Sequence, residues 1–298
     1  MAKSHMDPMS DGGVMKLLRA GRAGAEHVCV LLGDGRLLDL SEAVADVDPA
    51  FFAGGGIERI RGLLGAHGFP TVSRTGLRIG APMARPGKIV CVGPNYPAQA
   101  ETGQPAPAEP VVFLKAPDTV VGPDDEVLVP RNSVKTDWGI ELGVVIGRTA
   151  RYLDTVEEAL ACVAAYAISH DVSEREFQLE RGGQWGKGTS CETFNPLGPW
   201  LVTADEIADP QDLGMRLWVN DVLRQDATTK DMIFGVGELI RHLSHFMTLR
   251  PGDLVNTGTP GGVALGQPDP KPYLRPGDVV RLEIDGLGCQ RQKLGAAW

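Results

Sequence analysis

The acids at the ends of apolar segments have the most chemistry to offer in this sequence. Thr136-Asp137-Trp138-Gly139-Ile140-Glu141-Leu142-Gly143-Val144-Val145-Ile146-Gly147 starts polar and runs into an apolar strand. Period-two geometry puts Asp137, Gly139 and Glu141 on one face, with Trp138 and Ile140 on the other. A carboxylate at the mouth of a buried strand is costly unless it is paired, hydrogen-bonded or metal-bound. His170-Asp171-Val172-Ser173, following Tyr166-Ala167-Ile168, again leaves an acid at the end of an element. Capping and ion pairing account for either acid taken alone. Other chemistries lack their motifs. At 100° per residue His245 falls opposite the apolar stripe of its segment, beside Glu238 and Arg241, so His242 and His245 read as a solvated face. Gly54-Gly55-Gly56, Gly182-Gly183 and Gly261-Gly262 match neither a Walker A loop nor GxGxxG, so no nucleotide cofactor is expected. No GxSxG elbow for a serine nucleophile is present.

Short elements must position those acids. The 298 residues include 38 glycines and 22 prolines, an aperiodic excess that points to many turns. Apolar runs of a few residues recur at Ile89–Val92, 111–114, 142–146, 201–202, 217–219, 254–255 and Val279–Ile284, and the last alternates like a half-buried strand. Two helices are expected. Thr155-Val156-Glu157-Glu158 opens a capping box and leads into an Ala-rich stretch to Ala167. Val236, Leu239, Ile240, Leu243, Phe246 and Met247 form one helical stripe, stopped by Pro251-Gly252. Upstream, a hairpin joins Val28–Leu32 to Leu37–Leu40 through Gly33-Asp34-Gly35, and Ser41 caps a short helix. Pro82, Pro86 and Gly87 mark a boundary between a small domain, 1–85, and a larger one, 86–298. Ser4-His5-Met6 resembles a cloning remnant, which would make residues 1–6 foreign to the native chain.

Net charge is −9, which lacks the basic footprint of a nucleic-acid binder. Five scattered cysteines without a CxxC imply a reducing cytoplasm. No apolar run approaches the roughly 20 residues of a membrane span, and the start lacks a secretory h-region.

Twelve blocks occur in order: Lys88-Ile-Val-Cys-Val-Gly93, Asn95-Tyr96, Glu101-Thr102-Gly103, Phe113-Leu114-Lys115, Asp137-Trp138, Glu141 to Gly147, Asp171-Val172-Ser173, Asn195-Pro-Leu-Gly-Pro-Trp200, Asp231-Met-Ile-Phe234, Phe246-Met-Thr-Leu249, Pro251-Gly-Asp253 and Thr257-Gly-Thr-Pro260. The series closely resembles the fumarylacetoacetate hydrolase family, over about residues 86 to 298. That resemblance implies an α+β, mostly β fold: a twisted β-roll or β-sandwich catalytic domain with a small N-terminal α/β domain, usually as a homodimer. It also implies an enzyme that cleaves or rearranges bonds next to a carbonyl in small oxo-acids. In the family a Glu-x-Glu pair and a later Asp hold Mg²⁺ or Mn²⁺, hard cations that prefer oxygen. A His and a Glu following Asn-Tyr activate water, and a Lys supplies positive charge.

Matched position by position, the first Glu of Glu-x-Glu is Gly139, leaving Glu141 and Asp171 as a partial metal site. His170 replaces the usual Asn beside Asp171. The water-activating His falls at Gln99 or Ala98, and neither side chain titrates near neutral pH. The Lys before Ser-x-Asp-Thr-Phe is Thr189, with Lys187 two residues earlier. The expected reading is a repurposed site on this scaffold that performs cyclisation, isomerisation or C–C rearrangement of a small carbonyl metabolite through an enol(ate), in specialised biosynthesis. One alternative is the standard Mg²⁺/Mn²⁺-dependent hydrolase, decarboxylase or isomerase of acylpyruvate-like substrates. Another is a non-catalytic ligand-binding homologue. The catalytic candidates are Glu101, Glu141, Asp171 and Lys187. Tyr96, Gln99, Lys115, Thr189, Gln225 and Thr259 are expected to position substrate, Gln225 because Arg224-Gln225 precedes Asp231-Met232-Ile233 at the spacing of a family substrate loop. Thr257-Gly258-Thr259-Pro260 either presents amides to an anion or makes a tight turn.

Overall fold

The computed structural model describes residues 15–66, 68–97 and 107–298. The N-terminal part opens with β1 (Lys16–Arg22), β2 (Ala25–Leu31) and β3 (Leu37–Asp39), which pair antiparallel in sequence. The β2–β3 hairpin is the one expected, whereas β1 was not anticipated. Ser41 caps no helix; it lies in a turn where its N–H donates to Asp39 Oδ1 at 2.8 Å. The helices come later, as α1 (Pro49–Ala53), capped by the Asp48 carboxylate, and α2 (Gly56–Ala66), before β4 (Thr71–Val72).

The remainder is strand-rich: β5 (Ile89–Val92), β6 (Val112–Lys115), β7 (Val120–Val121), β8 (Val127–Val129), β9 (Thr136–Asp137), β10 (Ile140–Ile146), α3 (Val156–Leu160), β11 (Val163–His170) and β12 (Ser173–Glu174). A π-helical turn, Glu176–Glu180, leads to α4 (Gly186–Thr189), β13 (Asn195–Thr203), β14 (Gly214–Val219), β15 (Val222–Thr228), α5 (Val236–Ser244), β16 (Leu254–Asn256), β17 (Val279–Ile284) and β18 (Gly288–Ala296). Two helix expectations are corrected. The Thr155 capping box forms, but the helix stops at Leu160 and the Ala-rich stretch is strand β11. That stretch lies between β10 and β13 with both faces covered, so burial in the sheet overrides alanine's helix preference. The second stripe buries Val236, Leu239, Ile240 and Leu243, but α5 ends at Ser244 and leaves Phe246 67% exposed.

A large sheet runs β4-β3-β2-β1-β13-β11-β10-β16-β5-β6, with β7 added on β13. A smaller sheet runs β15-β14-β17-β18-β8, and β12 pairs with β9. One core fills the space between the sheets, bringing Ile140, Leu142, Val144, Tyr166 and Ile168 against Met215, Leu217, Val280, Leu282 and α5. A second core lies on the other face of the large sheet, where Phe51, Phe52, Ile60 and Leu64 cover Ile89, Val145, Ala165, Leu197 and Leu254. Both the sheet and this second core cross the 85/86 boundary in the sequence. No helix among the described residues is long and apolar enough to cross a membrane.

Candidate active site

Strands β10 and β11 pair with Glu141 opposite Ser169 and Ile140 opposite His170. Because Ile140 and Leu142 fill the inter-sheet core, alternation turns Glu141 to the opposite face. Asp171, one residue beyond β11, reaches the same place. Both line a cavity of about 600 Å³. Glu141 is 2% exposed and takes the Gly258 N–H on Oε2 at 2.8 Å. The Thr257–Pro260 turn therefore does present an amide, and what it meets is the chain's own Glu141 carboxyl. Burial, then the neighbouring Asp171 charge and a hydrogen bond between the two carboxyls, hold Glu141 well above the usual carboxylate range. Two acids this close resist ionising together, and burial favours the protonated form of Glu141.

Lys115 is the cation beside this pair. Its fully buried ammonium pairs with Asp171 and donates to the Phe194 carbonyl at 2.7 Å and the Val172 carbonyl at 3.3 Å. Lys115, expected to position substrate, is not among the lining residues; its ammonium lies on Asp171. Behind Asp171, His170 is fully buried with Nδ1 3.0 Å from Gln292 Oε1, and Nε2 has no partner. Burial pushes its imidazole down to about 3, so it is neutral.

One wall was missed entirely. Arg175 lines the cavity, with Nε donating to Asp137 Oδ2 and Nη1 to Gln178 Oε1, both at 2.8 Å. Gln178 lines it too, and its amide nitrogen is unspent. Asp137 is a bracket: besides Arg175 it accepts from the backbone of Trp138 at 2.9 Å, Ala264 at 2.7 Å and Leu265 at 3.0 Å. Only spacing pointed to this wall, with Arg175 four residues after Asp171 and Gln178 three further on. Without the intervening helical turn that spacing carries no message.

Several expected contacts lie elsewhere. Thr259 lines the cavity and donates from Oγ1 to the Ile140 carbonyl at 2.8 Å. Gln225 lies behind it, accepting from Ile140 N at 3.1 Å and donating to Thr259 Oγ1 and the Pro260 carbonyl at 2.8 Å each. It braces the wall and does not face the cavity. Tyr96 is buried in the core with its hydroxyl on Met215 Sδ at 3.3 Å. Thr189 is buried on α4 and bonds the Trp185 carbonyl at 3.4 Å. Lys187 is exposed, and its ammonium holds the Arg181 carbonyl at 2.8 Å, outside the cavity lining. Glu101 and Gln99 lie outside the described residues.

A profile of this family, described as fumarylacetoacetate (FAA) hydrolase C-terminal, matches residues 88–294. The chain belongs to the fumarylacetoacetate hydrolase family. A Burkholderia multivorans protein with a provisional hydrolase name is 48% identical over 95% of this chain and all of its own length. Among solved structures, 2-hydroxyhepta-2,4-diene-1,7-dioate isomerase from Mycobacterium marinum is 30% identical, with TM-score 0.73 over 95% of this chain and 98% of its own. Maleylpyruvate hydrolase from Sphingobium sp. SYK-6, solved with manganese(II) and pyruvate, is 29% identical, with TM-score 0.78 over 95% of this chain and 100% of its own. The chain is an enzyme of this superfamily, with the mostly-β α+β fold of its relatives.

The site can be tested for a divalent cation on its own donors. Among the described residues no three His, Cys, Asp or Glu side chains converge. Two carboxylates, Glu141 and Asp171, do face one cavity. That suffices for a hard cation that takes one or two carboxylates and fills its remaining positions with water and substrate oxygen. Position 139 offers no third donor, and its space is closed. A Cβ there would lie 3.1 Å from the Asp171 carbonyl oxygen and 3.2 Å from Thr259 Cβ.

Proposed function

We propose that this fumarylacetoacetate-hydrolase-fold enzyme acts on a small or medium oxo-acid or β-dicarbonyl metabolite through an enol or enolate, by cyclisation, isomerisation or C–C bond rearrangement, as a step in specialised biosynthesis. The observation that carries this reading is the buried Glu141–Asp171 pair lining the cavity, Glu141 held well above the usual carboxylate range and Asp171 paired with Lys115. Environments that push two acids apart assign them opposite roles. The Asp171 carboxylate takes a proton from the carbon next to the carbonyl, and protonated Glu141 supplies one to the carbonyl oxygen. The free Nη2 of Arg175 and the amide of Gln178 hold the substrate's carboxylate or developing oxyanion. Positioned proton transfer of this kind contributes roughly 10²–10⁴-fold.

Glu141 and Asp171 are also the residues that would hold Mg²⁺ or Mn²⁺, and a bound cation would supply polarisation of the substrate carbonyl. The alternative reading, standard metal-dependent hydrolysis, draws on the manganese and pyruvate of the Sphingobium enzyme. Gly139, standing where the family pattern has a ligand, supports the repurposed site over it. The decisive experiment follows enol-to-keto conversion of an acylpyruvate by loss of enol absorbance, using chelator-stripped protein. Catalysis above background is expected to persist and to fall about 10²–10³-fold in Glu141→Gln. Activity abolished by chelation and restored by Mn²⁺ would instead establish the standard enzyme, and Gly139→Glu raising Mn²⁺ affinity would identify a decayed version of it. Binding without catalysis would leave the ligand-binding homologue.

A further inference from the structure

The acids, the guanidinium and the amide occupy one part of the cavity, and the rest of its lining is mainly apolar. Phe113 on β6 and Trp185 at the entry to α4 meet edge to face, with ring centroids 5.3 Å apart at 65°. Leu179, in the π-helical turn, is 43% exposed and lines the same cavity. Helix α4 packs on both β6 and the π-helical turn, so these three side chains come from adjoining elements and form one wall. Among the described lining residues the charged side chains are Glu141, Asp171 and Arg175. Arg175 is the one cation, and two of its nitrogens are already committed. Because Arg175 is ion-paired with Asp137, its remaining Nη2 offers a charge-assisted hydrogen bond to a single anionic group and no surplus positive charge. A second carboxylate beside Phe113, Trp185 and Leu179 would lose water and gain no positive partner, which is strongly unfavourable. An apolar group there exchanges water for aromatic and aliphatic contact.

We propose that the substrate is a monoanionic oxo-acid or β-dicarbonyl whose far end is an aryl or branched alkyl group, and that Trp185 determines this specificity. The inference rests on the oxo-acid reading given above. Its probes are 2,4-dioxo-4-phenylbutanoate and 2,4-dioxoheptanedioate, offered to the full chain and followed by titration calorimetry and by enol-to-keto conversion. Wild type is expected to bind the phenyl compound at least about tenfold more tightly than the diacid. Trp185→Ala removes most of that preference, and Trp185→Phe, which keeps an aromatic face, retains it. Leu179→Arg, a change at an exposed position, adds the missing cation and shifts preference toward the diacid by about tenfold. Diacid binding equal to or tighter than phenyl binding in wild type overturns the inference, as does a preference unchanged in Trp185→Ala. A preference in binding with no catalysis of either probe supports this specificity while overturning the proposed reaction. Catalysis of both probes without preference does the reverse, and failure of both to bind overturns both.

Discussion

Glu141 and His170, on the neighbouring strands β10 and β11, couple the site to pH with opposite signs. Glu141 titrates above the ordinary carboxyl range in the folded chain. Its contribution to stability is full below about pH 4.3 and falls as pH rises toward the folded value. His170, pushed down to about 3, contributes fully above about pH 6.5 and loses that contribution as pH falls toward 3. In a series of melting temperatures from pH 4 to 8, Glu141→Gln should gain most over wild type at the alkaline end while losing catalysis. The amide keeps the bond from Gly258 and removes a buried acid that resists ionisation. A gain of equal size at pH 4 and pH 8 would contradict this account. His170→Asn should flatten the acid limb below pH 6.5, and an unaltered limb would assign that loss to other groups. The two acids were legible in the sequence because an acid entering an apolar strand is conspicuous. The pairing of Asp171 with Lys115 was not, since Lys115 arrives from β6.

At the scale of elements, the cavity is shaped less by its lining than by the braces behind it. Gln225 on β15 belongs to the small sheet yet bonds Ile140 and Thr259, which belong to the large sheet and its following turn. Gln225→Leu leaves the buried Ile140 N–H unpaired and should cost about 1–3 kcal/mol in denaturant unfolding, with KM raised as Thr259 loosens. A raised KM with no loss of stability would instead restore the contact role that the motif spacing suggested. The spacing could not tell which way Gln225 points, because that is set by pairing between distant strands. The same limit explains β11: Val163–His170 has an alanine-rich helical composition, and only its neighbours on both sides make it a strand. Where a pattern was local, as in the Gly33-Asp34-Gly35 hairpin, the Thr155 capping box or the alternation of β17, sequence and structure agree.

For the whole molecule, the texture change near residue 85 falls within one continuous large sheet. Strand β1 pairs with β13, and α1 and α2 cover Ile89, Val145, Leu197 and Leu254 on the large sheet. A chain beginning at residue 86 should therefore expose that apolar face and be recovered aggregated or molten. A soluble, cooperatively melting 86–298 fragment would show the boundary to be a true domain limit. The cavity draws on β5 near residue 92, on β10, on the segment following β11, and on the loop reaching residue 267. Segments so far apart in the chain meet only in the native state, so nothing short of the complete fold offers the binding surface. Any compound that occupies the cavity must then draw the folding equilibrium toward the native state by mass action, by about 2.7 kcal/mol at a hundredfold excess over Kd. A library of carbonyl acids can thus be ranked by the heat the chain withstands, before any reaction has been identified.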